Sequence, residues 1–175
     1  MSRLGRQITE IIEAMGRIDA RFALIGGLAL ASHKVVRATA DVDLLVDATA
    51  SDRVHAVLLA LGYRCTHRSE DAANYLRDDE RVDFLYARRP IAHRLLEHAA
   101  LRQTSFGPLH VVSPEGLIGF KLQALANDPR RTQDLEDIRA LLRANGASLN
   151  LDEVREYFRL FGREDALAEL LNEQD

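Results

Sequence analysis

The chain has 175 residues, 47% hydrophobic and 29% charged, which excludes wholesale disorder and suits one globular domain or a domain with a helical appendage. No apolar run approaches bilayer-spanning length, the start MSRLGRQITE lacks a signal-peptide core, and the lone Cys65 makes neither an internal disulfide nor a thiolate metal site. A cytoplasmic protein with no membrane partner is expected. Net charge is −4, but residues 150–175 hold eight of the 27 acids against three arginines, so the rest is close to neutral; with no basic footprint covering the whole protein, duplex-DNA binding is not expected.

Leu4, Ile8, Ile11, Ile12 and Met15 recur at helical spacing, which predicts an amphipathic helix over Leu4–Met15. Phe22–Ile25 reads as a short buried strand ending in Gly26-Gly27, and Leu28–His33 as a helix of small and apolar residues. Asp41–Asp47 is a second strand. A helix follows from Ser51, a residue type suited to the N-cap, to Leu61, and Gly62 closes it. Tyr63–His67 and Tyr75–Arg77 suggest short strands around a polar turn, and Arg81–Ala87 a stronger strand stopped by Arg88-Arg89-Pro90. A helix over Ile91–Ala99 and a strand over Leu109–Val112 come next.

Ser113-Pro114 combines an N-cap with proline at the first helical position and opens a helix to about Ala126. Asn127-Asp128-Pro129 breaks it. Thr132–Ala144 is the next helix, ended by Asn145-Gly146, and Asn150 with Glu153 has capping-box spacing for a helix to about Phe161. Asp165–Leu171 closes the chain. The expected architecture is α+β: a small mixed sheet flanked by helices over residues 1–112, then a helical part over 113–175 packed on the same cleft.

Asp41 and Asp43 stand two apart in a strand, so their carboxylates leave one face while Val42 and Leu44 point into the opposite, buried one. Adjacent like charges destabilise the fold unless water or a cation neutralises them, and oxygen ligands suit Mg²⁺ or Mn²⁺ rather than zinc. By spacing alone the pair fits a solvent-facing strand edge equally well. Its neighbourhood favours a site. Gly26-Gly27 ends a strand and opens a helix, offering unhindered backbone N–H groups to a phosphate. Arg37 and Thr39 precede the acids, where a guanidinium can clasp phosphate oxygens. Asp83, in the strand Arg81–Leu85, adds a third acid; beside Asp41–Val46 it would complete a metal site or take a proton from an attacking hydroxyl. An exposed Asp on a half-buried strand is the alternative.

Lysine occurs only at Lys34 and Lys121. Lys121 sits among Leu117, Ile118, Phe120 and Leu122, so it either snorkels to solvent or is buried against a charge. On the following helix Leu135, Ile138, Leu141 and Leu142 define the apolar face, with Arg131 and Asp134 inside that arc and Asp137 at its flank. Arg131 and Asp134, at i and i+3, can satisfy one another; Lys121 paired with Asp134 or Asp137 is the other option. The six histidines have no zinc spacing, and no Gly-x-Ser-x-Gly surrounds Ser32 or Ser105. Arg88, Arg89, His93 and Arg94 read first as a solvated basic face.

The run Ala23-Leu24-Ile25-Gly26-Gly27, followed by Arg37-Ala38-Thr39-Ala40-Asp41-Val42-Asp43-Leu44-Leu45-Val46, resembles the nucleotidyltransferase superfamily pattern: hydrophobic strand, glycine turn, Asp-x-Asp on the next strand. The Arg-x-Thr-x-Asp-x-Asp form resembles the AbiEii/AbiGii-type toxins of type IV toxin–antitoxin and phage-defence systems, as does a lysine helix followed by an Arg…Asp-x-x-Asp helix. The resemblance implies a polymerase-β-like core and transfer of an NMP from an NTP to an RNA, protein or small-molecule acceptor. It implies Mg²⁺ or Mn²⁺ at Asp41, Asp43 and Asp83, with Asp83 as ligand or base. Gly26, Gly27, Arg37 and Thr39 would cradle the triphosphate, and Lys121 would offset its charge, oriented by Asp134 or Asp137. Implied partners are the NTP, a tRNA or protein acceptor and a cognate antitoxin. The other class of function is a catalytically silent binding module of this fold acting through a protein partner, against which the intact Asp41, Asp43 and Asp83 argue.

Overall fold

The computed structural model describes residues 2–173. They divide into two units, one running to Ser32 and resuming over Arg37–Val112, the other made of His33–Val36 and the chain from Ser113 onward. No helix among the described residues is long and apolar enough to cross a membrane.

The first unit contains α1 (Arg3–Arg17), β1 (Phe22–Leu24), α2 (Gly26–Ala31), β2 (Val42–Asp47), α3 (Ser51–Ala60), β3 (Arg64–Arg68), β4 (Ala72–Arg77), β5 (Glu80–Ala87), α4 (Pro90–Glu97), β6 (Ala100–Thr104) and β7 (Gly107–Val111). The strands form one sheet in the order β3-β4-β5-β2-β1-β7-β6. Its β2–β5 and β1–β7 pairs are parallel and the others antiparallel, so the sheet is mixed, as expected. Val42, Leu44, Leu45 and Val46 on β2 and Val82, Phe84, Tyr86 and Ala87 on β5 are all buried. Near-continuous apolar runs are what a parallel pair covered on both faces requires. On α1, Ile8, Ile11 and Met15 are fully buried, and Gln7 Nε2 donates to the Arg81 carbonyl at 3.0 Å.

Arg77 ties four segments of this unit together. Its Nη2 lies 2.6 Å from Glu10 Oε2 and 2.6 Å from Glu80 Oε2, Nη1 donates to the Leu61 carbonyl at 2.7 Å, and the guanidinium carbon sits 4.4 Å from the Tyr63 ring centre. Burial pushes the Tyr63 phenol up to about 12 against the opposing pull of Arg77.

Several element ends differ from the sequence reading for identifiable reasons. The helix expected from Leu28 begins at Gly26. Ser51 is the first residue of α3 rather than its cap, because a 3₁₀ turn over Ala48–Ala50 precedes it; Asp47 caps that turn by accepting from the Thr49 N–H at 2.9 Å. β6 was not expected. It is an edge strand with Ala100, Leu101, Arg102 and Gln103 all exposed, so it has no buried face to impose an alternating pattern.

The second unit contains α5 (Pro114–Asn127), α6 (Thr132–Asn145), α7 (Leu151–Leu160) and α8 (Glu164–Asn172), with α5 against both α6 and α7 and α8 on α7. Ser113 caps α5 and Asn150 caps α7 through their side-chain oxygens, at the positions the sequence marks. Gly146 is not a left-handed stop: with φ −45° it leads into a 3₁₀ turn over Gly146–Ser148. Buried Glu115 accepts from the Asn150 N–H at 2.8 Å. At Gly119 a β-carbon would lie 3.2 Å from the Tyr157 ring, so the glycine permits the close approach of α5 and α7. Buried Asn145 donates to the His33 carbonyl at 2.9 Å and the Leu141 carbonyl at 3.1 Å, which binds His33–Val36 into this unit.

In the first unit, Tyr75 OH and His55 Nδ1 are 3.0 Å apart, whereas the buried Tyr86 hydroxyl, with Tyr75 as its electrostatic neighbour, has no partner in full hydrogen-bond geometry among the described residues. An unsatisfied buried hydroxyl costs roughly 1–3 kcal/mol. Tyr86→Phe is therefore expected to raise the melting temperature by about 2–4 °C per kcal/mol relieved, measured by circular dichroism. A lower melting temperature would show that the hydroxyl is satisfied by an ordered water.

Candidate active site

The centre of the sheet sets the site. β2 and β5 run parallel with Asp43 opposite Asp83, and β5 pairs with β4 so that Asn74 also stands opposite Asp83. Register neighbours lie roughly 5 Å apart and share a face, so Asn74, Asp83 and Asp43 form a polar row across three strands. Asn74 Nδ2 donates to Asp83 Oδ1 at 2.7 Å. Burial pushes the Asp83 carboxyl above its ordinary value; the Asn74 hydrogen bond and the Arg81 charge oppose the rise, and the charge of Asp41 adds to it.

The glycine turn abuts this row. Ile25 N–H donates to the Asp43 carbonyl at 3.0 Å, and the chain then turns at Gly26 with φ +64°. A β-carbon at Gly26 would overlap the Asp43 carboxylate. Glycine is required there twice, for the left-handed backbone and for the space. At Gly27 a β-carbon would lie 2.8 Å from Thr39 Oγ1 and 3.3 Å from an Arg37 guanidinium nitrogen. The carboxylate, the hydroxyl and the guanidinium thus close on two adjacent α-carbons. α2 is only six residues long, so unhindered backbone matters here more than a helix dipole.

No three or more His, Cys, Asp or Glu side chains among the described residues converge as a ready-made metal cage. The donor chemistry would still fit a hard cation, which the Asp43 and Asp83 carboxylates on neighbouring strands would hold. Mg²⁺ is commonly held in that way, completed by water and substrate phosphates.

The residues singled out in the helical unit gather separately. Lys121 Nζ lies 2.9 Å from Asp134 Oδ1 and 2.6 Å from Asp137 Oδ2, and Arg131 Nε lies 2.5 Å from Asp134 Oδ2. Gln133 Nε2 donates to Asp137 Oδ1 at 3.0 Å. Lys121, Asp134 and Asp137 are 7%, 7% and 2% exposed, so the lysine does not snorkel. The two pairings weighed from sequence occur together: Arg131 and Lys121 share Asp134. Burial pushes the Asp134 carboxyl up, but the hydrogen bonds from Arg131 and Lys121 outweigh it and hold the group below the usual carboxylate range.

Asn74 was missed by the sequence reading. It falls just outside the expected Tyr75–Arg77 strand, and only the register of β4 against β5 reveals it. A lone polar residue in Ala72-Ala73-Asn74-Tyr75 was the available signal.

Chains of similar fold are nucleotidyltransferases. The solution structure of the antibiotic-resistance factor ANT(2'')-Ia is 18% identical with a TM-score of 0.71, covering 98% of this chain and 97% of that one. A crystal structure of ANT(2'')-Ia in complex with adenylyl-2''-tobramycin is 19% identical with a TM-score of 0.70, covering 91% and 97%. The lincosamide antibiotic adenylyltransferase LnuA, lincomycin-bound, is 17% identical with a TM-score of 0.57, covering 78% and 94%. No curated protein sequence matches the chain. The family described as uncharacterised nucleotidyltransferase matches residues 2–172, and the chain belongs to it.

The lysine cluster makes two expectations. Lys121→Ala takes the cation from buried Asp137 and leaves Asp134 to Arg131 alone; breaking a buried pair typically costs about 3–5 kcal/mol, so the variant should be strongly destabilised in urea unfolding. Because the Asp134 carboxyl is lowered by folding, its stabilisation is complete above the unfolded-state value of about 4 and is lost as pH falls through the folded value. The stability gap between wild type and Asp134→Asn should accordingly be wide at pH 7 and narrow below about pH 4. A gap independent of pH would refute the ion-pair account.

Proposed function

We propose that the protein transfers a nucleoside monophosphate from an NTP to a hydroxyl of an acceptor, breaking the α–β phosphoanhydride bond and releasing pyrophosphate, using Mg²⁺ or Mn²⁺. The observation that supports this best is Asp43 standing in register with Asp83 while its carboxylate lies against Gly26. In this reading Asp41 and Asp43 would hold the metal, which when bound offsets charge on the triphosphate, and Asp83 would be a further ligand or the base. Gly26 and Gly27 let phosphate oxygens approach the backbone, and Arg37 and Thr39, folded over Gly27, grip them. As base, Asp83 would accept the proton of the attacking hydroxyl; burial raises its carboxyl above the ordinary value. The sheet unit carries this core, and His33–Val36 with the chain from Ser113 onward forms the helical part. Lys121, paired with Asp134 and Asp137 inside the helical unit, serves that buried cluster in this reading.

A small-molecule acceptor is the first reading, and a cytoplasmic supply of NTP suits it. Two of the similar structures, named above as an antibiotic-resistance factor and an antibiotic adenylyltransferase, match over most of both chains. A second reading, a toxin acting on a tRNA end or a protein and restrained by an antitoxin, is supported by Arg37, Thr39, Asp41 and Asp43 in sequence and by the clustering of Lys121, Arg131, Asp134 and Asp137.

Each α-labelled NTP, incubated with Mg²⁺ and in turn an aminoglycoside, a lincosamide, total tRNA and a test protein, separates these readings. Label should pass to one acceptor class and fall to background with Asp43→Ala. Absence of transfer to any acceptor, with no Mn²⁺–ATP shift in melting temperature, would favour the silent binding module. Asp83 adds an expectation of opposite sign for stability. A carboxyl raised by folding favours the fold below its unfolded-state value and opposes it as pH rises through the folded value. Asp83→Asn should therefore melt higher than wild type at pH 7 while losing transfer, and a lower melting temperature would contradict the burial argument.

A further inference from the structure

β3 and β4 pair antiparallel, but their register slips: Cys65 faces Tyr75, His67 faces Asn74, and Thr66 is left over as a bulge. The Thr66 hydroxyl donates to the Asn74 carbonyl at 3.1 Å. A bulge bends its strand, sharpens the local twist and re-aims side chains beside functional sites. This one lies opposite the residue whose amide donates to Asp83 Oδ1 at 2.7 Å. An ionised carboxylate only accepts hydrogen bonds, so the amide must present its nitrogen and the carboxylate plane is set by it.

We propose that Asn74 is a positioning residue of the active site. By engaging Oδ1 it fixes the rotation of the Asp83 carboxylate and keeps Oδ2 for the metal and the acceptor hydroxyl, and the Thr66 bulge sets the aim of the amide. The proposal rests on Asp83 acting as ligand or base. It differs from a merely structural hydrogen bond in one respect: a structural bond supports the sheet, whereas a positioning bond also governs metal affinity. Partners that orient a metal ligand typically contribute 10–100-fold to affinity.

The test measures Mn²⁺ binding by electron paramagnetic resonance, with a non-hydrolysable ATP analogue present, for the full-length protein and four variants. Asn74→Ala and Asn74→Leu should both weaken Mn²⁺ binding by about 10–100-fold; the leucine keeps the side-chain bulk in case alanine loosens the strand. Asn74→Gln retains an amide donor and should recover part of the loss. Unchanged Mn²⁺ binding in both Asn74→Ala and Asn74→Leu, alongside loss in Asp83→Asn, would overturn the positioning role and leave the site reading standing. Unchanged binding in Asp83→Asn would overturn the role of Asp83 and this inference with it.

Discussion

A carboxylate laid against an α-carbon without a side chain is the constraint on which the site depends. Asp43 occupies the volume that a β-carbon at Gly26 would take, so the residue after β1 and the side chain of β2 are chosen together. The positive φ of Gly26 turns the chain directly from strand into α2, and the Ile25 N–H bonds the Asp43 carbonyl at the same point. Gly27 then leaves room for Thr39 and Arg37 from the far side of the connecting loop. A single methyl group at either glycine would displace an acid or a cation. Packing at this turn and chemistry at this turn are one requirement.

The chain handles buried charge in two different ways. In the helical unit, Lys121 and Arg131 neutralise Asp134 and Asp137, and removal of the buried Lys121 would leave Asp137 without its cation. In the sheet, Asp83 has an amide donor instead of a cation, and the negative charge of Asp41 works against it. The first arrangement is complete within the protein. The second is left with acidic groups in the sheet, whose charge the proposed divalent cation would offset.

How far the sequence could be read follows from which forces act locally. Asp41, Asp43 and the glycine pair were legible because strand alternation and turn chemistry are properties of neighbours in the chain. Ser113 and Asn150 were legible as caps for the same reason. The mixed sheet was expected, but its order was not, since pairing β2 in parallel with β5 depends on packing across about 40 residues of intervening chain. The antiparallel register of β4 on β5 is what reveals Asn74. β6 left no pattern because neither of its faces is buried, and Ser51 lost its capping role to Asp47, whose turn begins one element earlier. Lys121 was conspicuous by rarity, yet its double pairing required knowing how α6 presents Asp134 and Asp137 to α5.

The Asn145 hydrogen bond to the His33 carbonyl spans 112 residues of chain. His33–Val36 lies between two stretches of the sheet unit but is itself part of the helical unit. During synthesis this tetrapeptide leaves the ribosome long before its anchor exists. At about 5–20 residues per second the interval is roughly 6–22 s. Throughout that time the His33 carbonyl has no Asn145 amide to accept from.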